Sequence, residues 1–217
     1  MARSERNGKR KTRDQFAKKR VPELGYYFIV TDTKETEQNY MRGLRNSIPL
    51  DLQDKLVIKV VKTKTKNLVE EAMNLASLHP QYGETWIVFD RDQVRDFDEI
   101  ICQAGEKGIH VGWTNPCIEE WFCAYFGKMP TYADSVSCCS GFSKIFENAT
   151  NQKYEKSDES IYEKLNRFGN EENAIKLAQR KLCEHRENGK SKPSEMNPCT
   201  TVHLLIDEIK VKIERKE

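Results

Sequence analysis

At 217 residues and 25.3 kDa, the chain is long enough for one sizeable core with a smaller appendage. Its formal charge of +2 conceals an asymmetry, because residues 1–20 carry nine Lys or Arg against Glu5 and Asp14, a net +7 that leaves −5 for the remainder. No apolar run approaches the roughly 18 residues needed to span a bilayer, and the first residues lack a secretory signal's apolar stretch, which argues against a membrane protein and predicts a cytoplasmic one.

Residues 1–20 read as a basic, disordered tail with Lys9, Arg10, Lys11 and Arg13 as candidate nucleic-acid contacts. Such a tail attracts polyanions without sequence preference, although charge alone fits a solubilising extension equally well. The seven cysteines form no C-x-x-C pair and no zinc-finger spacing with histidine, which argues against structural zinc. Adjacent Cys138 and Cys139 do not suit a disulfide framework, so the thiols are expected to be reduced.

From residue 21 to 127, short β-branched or aromatic runs alternate with helical periodicity, the pattern of a parallel α/β sheet. The expected strands are Tyr26 to Asp32, Leu56 to Val61, Thr85 to Asp90 and Ile109 to Trp113. Between them, the stripes Tyr40, Met41, Leu44, Ile48; Leu68, Val69, Ala72, Leu75, Ala76; and Phe97, Ile100, Ile101, Ala104 each predict a crossover helix. After the fourth strand, Asn115 is expected to cap a helix with Pro116 at its first position. Ile118, Trp121, Phe122, Tyr125 and Phe126 would form its buried face.

Residues 128–217 read as a mainly helical extension packed on the core. The composition is polar to about Asp158, after which Ile161, Leu165 and Phe168 mark one helix and Ala174, Ile175, Leu177, Ala178 and Leu182 another. Asn188 to Ser194 looks like a mobile loop. Asn197-Pro198 repeats the expected capping device before the stripe Val202, Leu205, Ile206 and Ile209.

The chemistry concentrates at strand ends. Trp86-Ile87-Val88-Phe89 runs into Asp90-Arg91-Asp92, and Tyr26-Tyr27-Phe28-Ile29-Val30-Thr31 runs into Asp32, with Glu35 and Glu37 just beyond. Hard carboxylate oxygens at a sheet edge can share one magnesium ion, or manganese, and present it to a phosphate. The D-x-D spacing also suits an ordinary acidic helix start, and Asp96 and Asp98 fit that reading; two acidic strand ends together favour the metal. Asp32 or Glu37 would orient or deprotonate a water, whereas Glu35 suits helix capping. Glu119 either reaches the edge of Asp90 or favours its own helix terminus.

Asp32 to Tyr40, Val88 to Asp92, Asn115-Pro116-Cys117-Ile118-Glu119-Glu120-Trp121, and Asn197-Pro198-Cys199-Thr200 followed by Val202-His203-Leu204-Leu205 together resemble the RloB-like family. That family includes the AbiLii-type phage-resistance proteins. The resemblance runs from about residue 20 to near the end, and it rests on the order and spacing of the blocks. It implies a TOPRIM-like parallel-sheet core with flanking helices and a magnesium-dependent nuclease, the effector of an anti-phage abortive-infection system acting on DNA or RNA. A partner ATPase is implied too, and an oligomer is compatible. The resemblance assigns metal binding to Asp90 and Asp92 and acid/base work to Asp32, for which Glu37 is the alternative, and it tips Glu119 towards a metal-site role; Lys156 suits either a phosphate contact or an ordinary solvated lysine.

One departure stands out: the family pattern at the first strand is Glu-Gly, and here it is Asp32-Thr33. A carboxylate one methylene shorter falls back by about 1 Å, a displacement worth on the order of 100-fold in rate. The alternative implied is a weak or silent TOPRIM-like module that binds nucleic acid or an ATPase.

Overall fold

The computed structural model describes residues 24–32, 35–53, 55–78, 83–92 and 94–214; Lys9, Arg10, Lys11, Arg13 and Thr33 lie outside them. Five strands and eight α-helices are found among the described residues. In chain order they are β1 (Gly25–Thr31), α1 (Glu35–Asn46), β2 (Leu56–Lys62), α2 (Leu68–Leu78), β3 (Gly83–Asp90), α3 (Phe97–Glu106), β4 (His110–Asn115), α4 (Glu119–Tyr125), α5 (Ser135–Thr150), α6 (Ile161–Phe168), α7 (Glu171–Glu187), β5 (Cys199–Thr200) and α8 (Val202–Glu214). The sheet order is β2-β1-β3-β4-β5, parallel except for β5, which pairs antiparallel with β4. The fold is the α/β, TOPRIM-like arrangement expected.

Alternation along the central strands explains the layers. Tyr27, Ile29, Trp86 and Val88 join one apolar cluster with α1, α4 and α8, while Phe28, Val30, Ile87 and Phe89 join another with α2 and α3. Side chains of successive strand residues point to opposite faces, so a parallel sheet buried on both sides needs continuous apolar runs. β1 and β3 supply them. Helix α1 leaves β1 over one face and α2 returns from β2 over the other, so the chain reverses its direction across the sheet between β1 and β3. Open α/β sheets bind ligands at such a reversal, outside the carboxyl ends of the strands.

Two expectations are corrected. Asn115 and Asn197 cap no helix: α4 starts only at Glu119 behind Ile118, and α8 only at Val202, with β5 intervening. Both Asn-Pro bonds are cis. Instead, Asn115 Nδ2 donates to the carbonyls of Pro193 and Ser194 at 3.2 Å each, and Asn197 Nδ2 donates to Tyr132 O at 2.8 Å. The amide expected to serve its own helix ties down a distant loop. The stretch expected to be mobile is anchored at its far end, where Ser194 donates through N and Oγ to the Asp98 carboxylate at 2.9 and 2.5 Å.

The polar composition of α5 hides its helical stripe in the sequence. Asp134 caps it by accepting from Ser137 N at 2.7 Å, and Cys138, Phe142 and Phe146 face inward. β5 gives no sequence signal because it is two residues long, with Thr200 and Thr114 hydroxyls 2.9 Å apart holding it to β4.

Candidate functional site

At the end of β1, Asp32 is nearly buried, and its amide donates to Val88 O across the sheet. Its Oδ2 accepts a 2.7 Å hydrogen bond from Thr65 Oγ1, on the short turn after β2. Glu35 points outward from the first turn of α1, whereas Glu37 is fully buried, so of these two carboxylates only Glu37 faces inward.

β3 treats its two aspartates differently. Asp90 lies within the strand and is buried, paired in register with Thr114. Asp92 is exposed with φ of +29°, a left-handed turn that aspartate tolerates better than most residues. Its amide donates to Pro116 O at 3.0 Å, and its Oδ1 accepts from Ser135 Oγ at 2.5 Å. In a continuing strand both carboxylates would share a face; the turn places one inside and one at the rim.

An open cavity of about 360 Å³ lies at this edge, lined by Asp32, Thr65, Lys66, Asp92, Arg95 and Asp96 among others. It spans the reversal between β1 and β3. Carboxylates from both strand ends meet two exposed cations, Lys66 and Arg95. Sequence reasoning missed Thr65, Lys66 and Arg95. The alternating basic run Lys62, Lys64, Lys66 was the available signal for the first cation; nothing local marked Arg95.

Glu119 is brought to the same edge but into different company. Its buried carboxylate accepts from Tyr154 OH at 3.0 Å and faces Lys156 Nζ at 3.5 Å. Burial pushes the Glu119 carboxyl up, yet Lys156 and hydrogen bonds from Cys117 and Cys139 hold it below the usual carboxylate value. The Cys117 thiol is raised by its hydrogen bond with Cys138, by burial, and by the charges of Glu119 and Asp90. Lys156 is therefore an ion-pair partner at the site, and its charge is held by Glu119 and Cys139 against the effect of burial. The start of α1 is stitched to this segment: Thr36 Oγ1 donates to Lys156 O at 3.0 Å, and Asn39 Nδ2 to Ser157 O at 3.1 Å.

Two donor sets therefore share one sheet edge. Asp32, Asp90 and Asp92 offer hard oxygens, the donors that magnesium and manganese prefer. Among the described residues, the one group of three His, Cys, Asp or Glu ligand atoms all within 4.8 Å of one another is Cys117, Glu119 and Cys139. Glu119 thus shares a ligand group with two thiols, at the edge where the aspartates also stand. Lys9, Arg10, Lys11 and Arg13 lie outside the described residues.

No curated protein and no solved structure matches the chain. The RloB-like protein family matches it over residues 27–209, which takes in most of β1, the cavity, the thiols and most of α8. The chain belongs to the RloB-like protein family.

Proposed function

We propose that the chain is a divalent-metal-dependent nuclease that hydrolyses phosphodiester bonds of DNA or RNA as the effector of an antiviral, abortive-infection system. The observation that carries this reading is the cavity at the reversal between β1 and β3, where Asp32 and Asp92 line the mouth and Asp90 ends the neighbouring strand. Asp90 and Asp92 would hold Mg²⁺ or Mn²⁺. When bound, such an ion supplies charge neutralisation at the phosphate and lowers the pKa of a coordinated water. Asp32, fixed by Thr65 at the cavity, orients and deprotonates the attacking water, with Glu37, buried on α1, as the alternative base; Lys66 and Arg95 draw the phosphate backbone into the cavity.

The test uses the full chain with single-stranded DNA, duplex DNA and total RNA, in Mg²⁺ or Mn²⁺ and in EDTA. Metal-dependent cleavage is expected, with a drop of about 100-fold or more in an Asp90→Ala, Asp92→Ala variant. Cleavage that survives both EDTA and the double substitution would remove the proposal.

A second reading is favoured by Asp32 itself, which stands where the family pattern has Glu and is tethered to Thr65. On that reading the chain is a weak or silent module that binds nucleic acid or a partner ATPase. Retained nucleic-acid binding without cleavage, in the presence of the ATPase, would select it.

A further inference from the structure

The thiol group beside the acidic cavity has chemistry of its own. Cys117 lies on the turn leaving β4, Glu119 opens α4, and Cys139 lies near the start of α5. Two sulfurs and a carboxylate oxygen all fall within 4.8 Å of one another. Cys117 and Glu119 are 2% and 1% exposed, and Cys139 is half-buried. Around tetrahedral zinc, with about 2.3 Å to sulfur and about 2.0–2.2 Å to carboxylate oxygen, such ligands stand about 3.5–3.8 Å apart. Small side-chain rotations cover the difference.

We propose that Cys117, Cys139 and Glu119 form a binding site for one borderline-soft divalent ion of the zinc class, separate from the hard-oxygen set at Asp90 and Asp92. The donors decide the class: thiolate sulfur favours zinc and disfavours magnesium. Charge decides whether the ion can be accommodated. Without metal, the Glu119 carboxylate is balanced by the Lys156 ammonium 3.5 Å away. Binding exchanges two thiol protons for one dication, so two thiolates, one carboxylate, the ion and Lys156 again sum to zero. Lys156 already touches the Cys139 thiol and remains there to donate to its thiolate.

Three protein ligands leave a fourth tetrahedral position for water, the arrangement of an open zinc site. Ligation also ties the β4–α4 turn to α5, where the Cys117 Sγ to Ser135 O approach at 3.7 Å is a weak hydrogen bond. An ion that binds only the folded chain raises its thermal midpoint. The inference stands independently of any nuclease activity.

The experiment titrates the full chain, stripped by chelator and kept in a phosphine reductant, with Co²⁺ as a spectroscopic substitute. A sulfur-to-cobalt charge-transfer band saturating at one equivalent is expected, abolished by Zn²⁺ displacement and accompanied by a higher thermal midpoint. Cys139→Ser and Glu119→Gln should each weaken binding at least tenfold, a Cys117→Ser, Cys139→Ser double variant should lose the band, and Asp90→Ala should keep it. The absence of a band in the unsubstituted chain overturns the proposal whatever the variants do. So does a band undiminished in the double variant or removed by Asp90→Ala.

Discussion

Thr65 and His203 show how single side chains set the behaviour of their surroundings. The Thr65 hydroxyl donates to Asp32 from the turn after β2, so it fixes the shortened carboxylate without restoring its reach. Thr65→Val should slow cleavage by about tenfold while leaving nucleic-acid affinity unchanged, a split visible in single-turnover rates against binding isotherms. His203 is buried on α8, its ring nitrogens 3.0 Å from Thr200 O and 2.9 Å from Gln179 Oε1. Burial pushes its pKa down to about 4 from 6.5. The unfolded chain therefore takes up the proton first, and the stability present above pH 6.5 is lost as pH falls towards 4. The decrease amounts to about 3 kcal/mol at most. Thermal midpoints measured between pH 7 and 4 should fall less steeply in His203→Gln.

What a sequence reveals about single residues follows the same physics. Asp32, Asp90 and Asp92 are readable because an apolar run that stops at a carboxylate marks a strand end whatever the tertiary structure. Cys117 and Cys139 are not, because a pair separated by a whole helix and loop becomes neighbours only when α5 packs against α4. Glu119 and Lys156 are each legible as candidates, but nothing local in the sequence pairs them with each other or with Tyr154.

Among the elements, α1 packs on α6 with no room for an added side-chain atom. A Cβ on Gly43 would fall 2.4 Å from Tyr162 Cβ, so the helices approach at a distance that only glycine permits. Gly43→Ala gains about 1 kcal/mol of helix propensity and should still destabilise by about 1–3 kcal/mol through overpacking, as read from urea midpoints. Nearby, Tyr40 OH lies 2.8 Å from Tyr125 OH, which donates to Glu171 Oε1 at 2.8 Å, while Lys210 pairs with Glu171. This chain of polar groups links α1, α4, α7 and α8 through the core. The four parallel strands and their crossover helices are legible from period and length. The Asn-Pro devices mislead because the same Asn side chain that caps a helix can equally bridge loops, and only the loop's position decides between them.

For the molecule as a whole, the reversal of strand order sets where a ligand site can form, and β1 and β3, which lead to it, are buried on both faces. Charge divides the chain in the opposite sense, since the −5 of residues 21–217 resides beside a +7 lead-in. If residues 1–20 supply attraction to nucleic acid, deleting them should weaken binding and flatten the slope of log affinity against log salt, by roughly 0.7–0.9 for each phosphate no longer neutralised. An unchanged slope would assign the attraction to Lys66, Arg95 and their neighbours.

The two-residue strand β5 has a consequence for biosynthesis. It closes the β4 border of the sheet with Thr200 paired to Thr114 and Cys199 to Asn115, residues encoded far downstream of β4 itself. During amino-to-carboxyl emergence from the ribosome, that border stays uncovered while everything from β1 through α7 is already outside or in the exit tunnel. A half-made chain therefore presents the unpaired backbone at the end of β4 to any neighbour until Thr200 arrives.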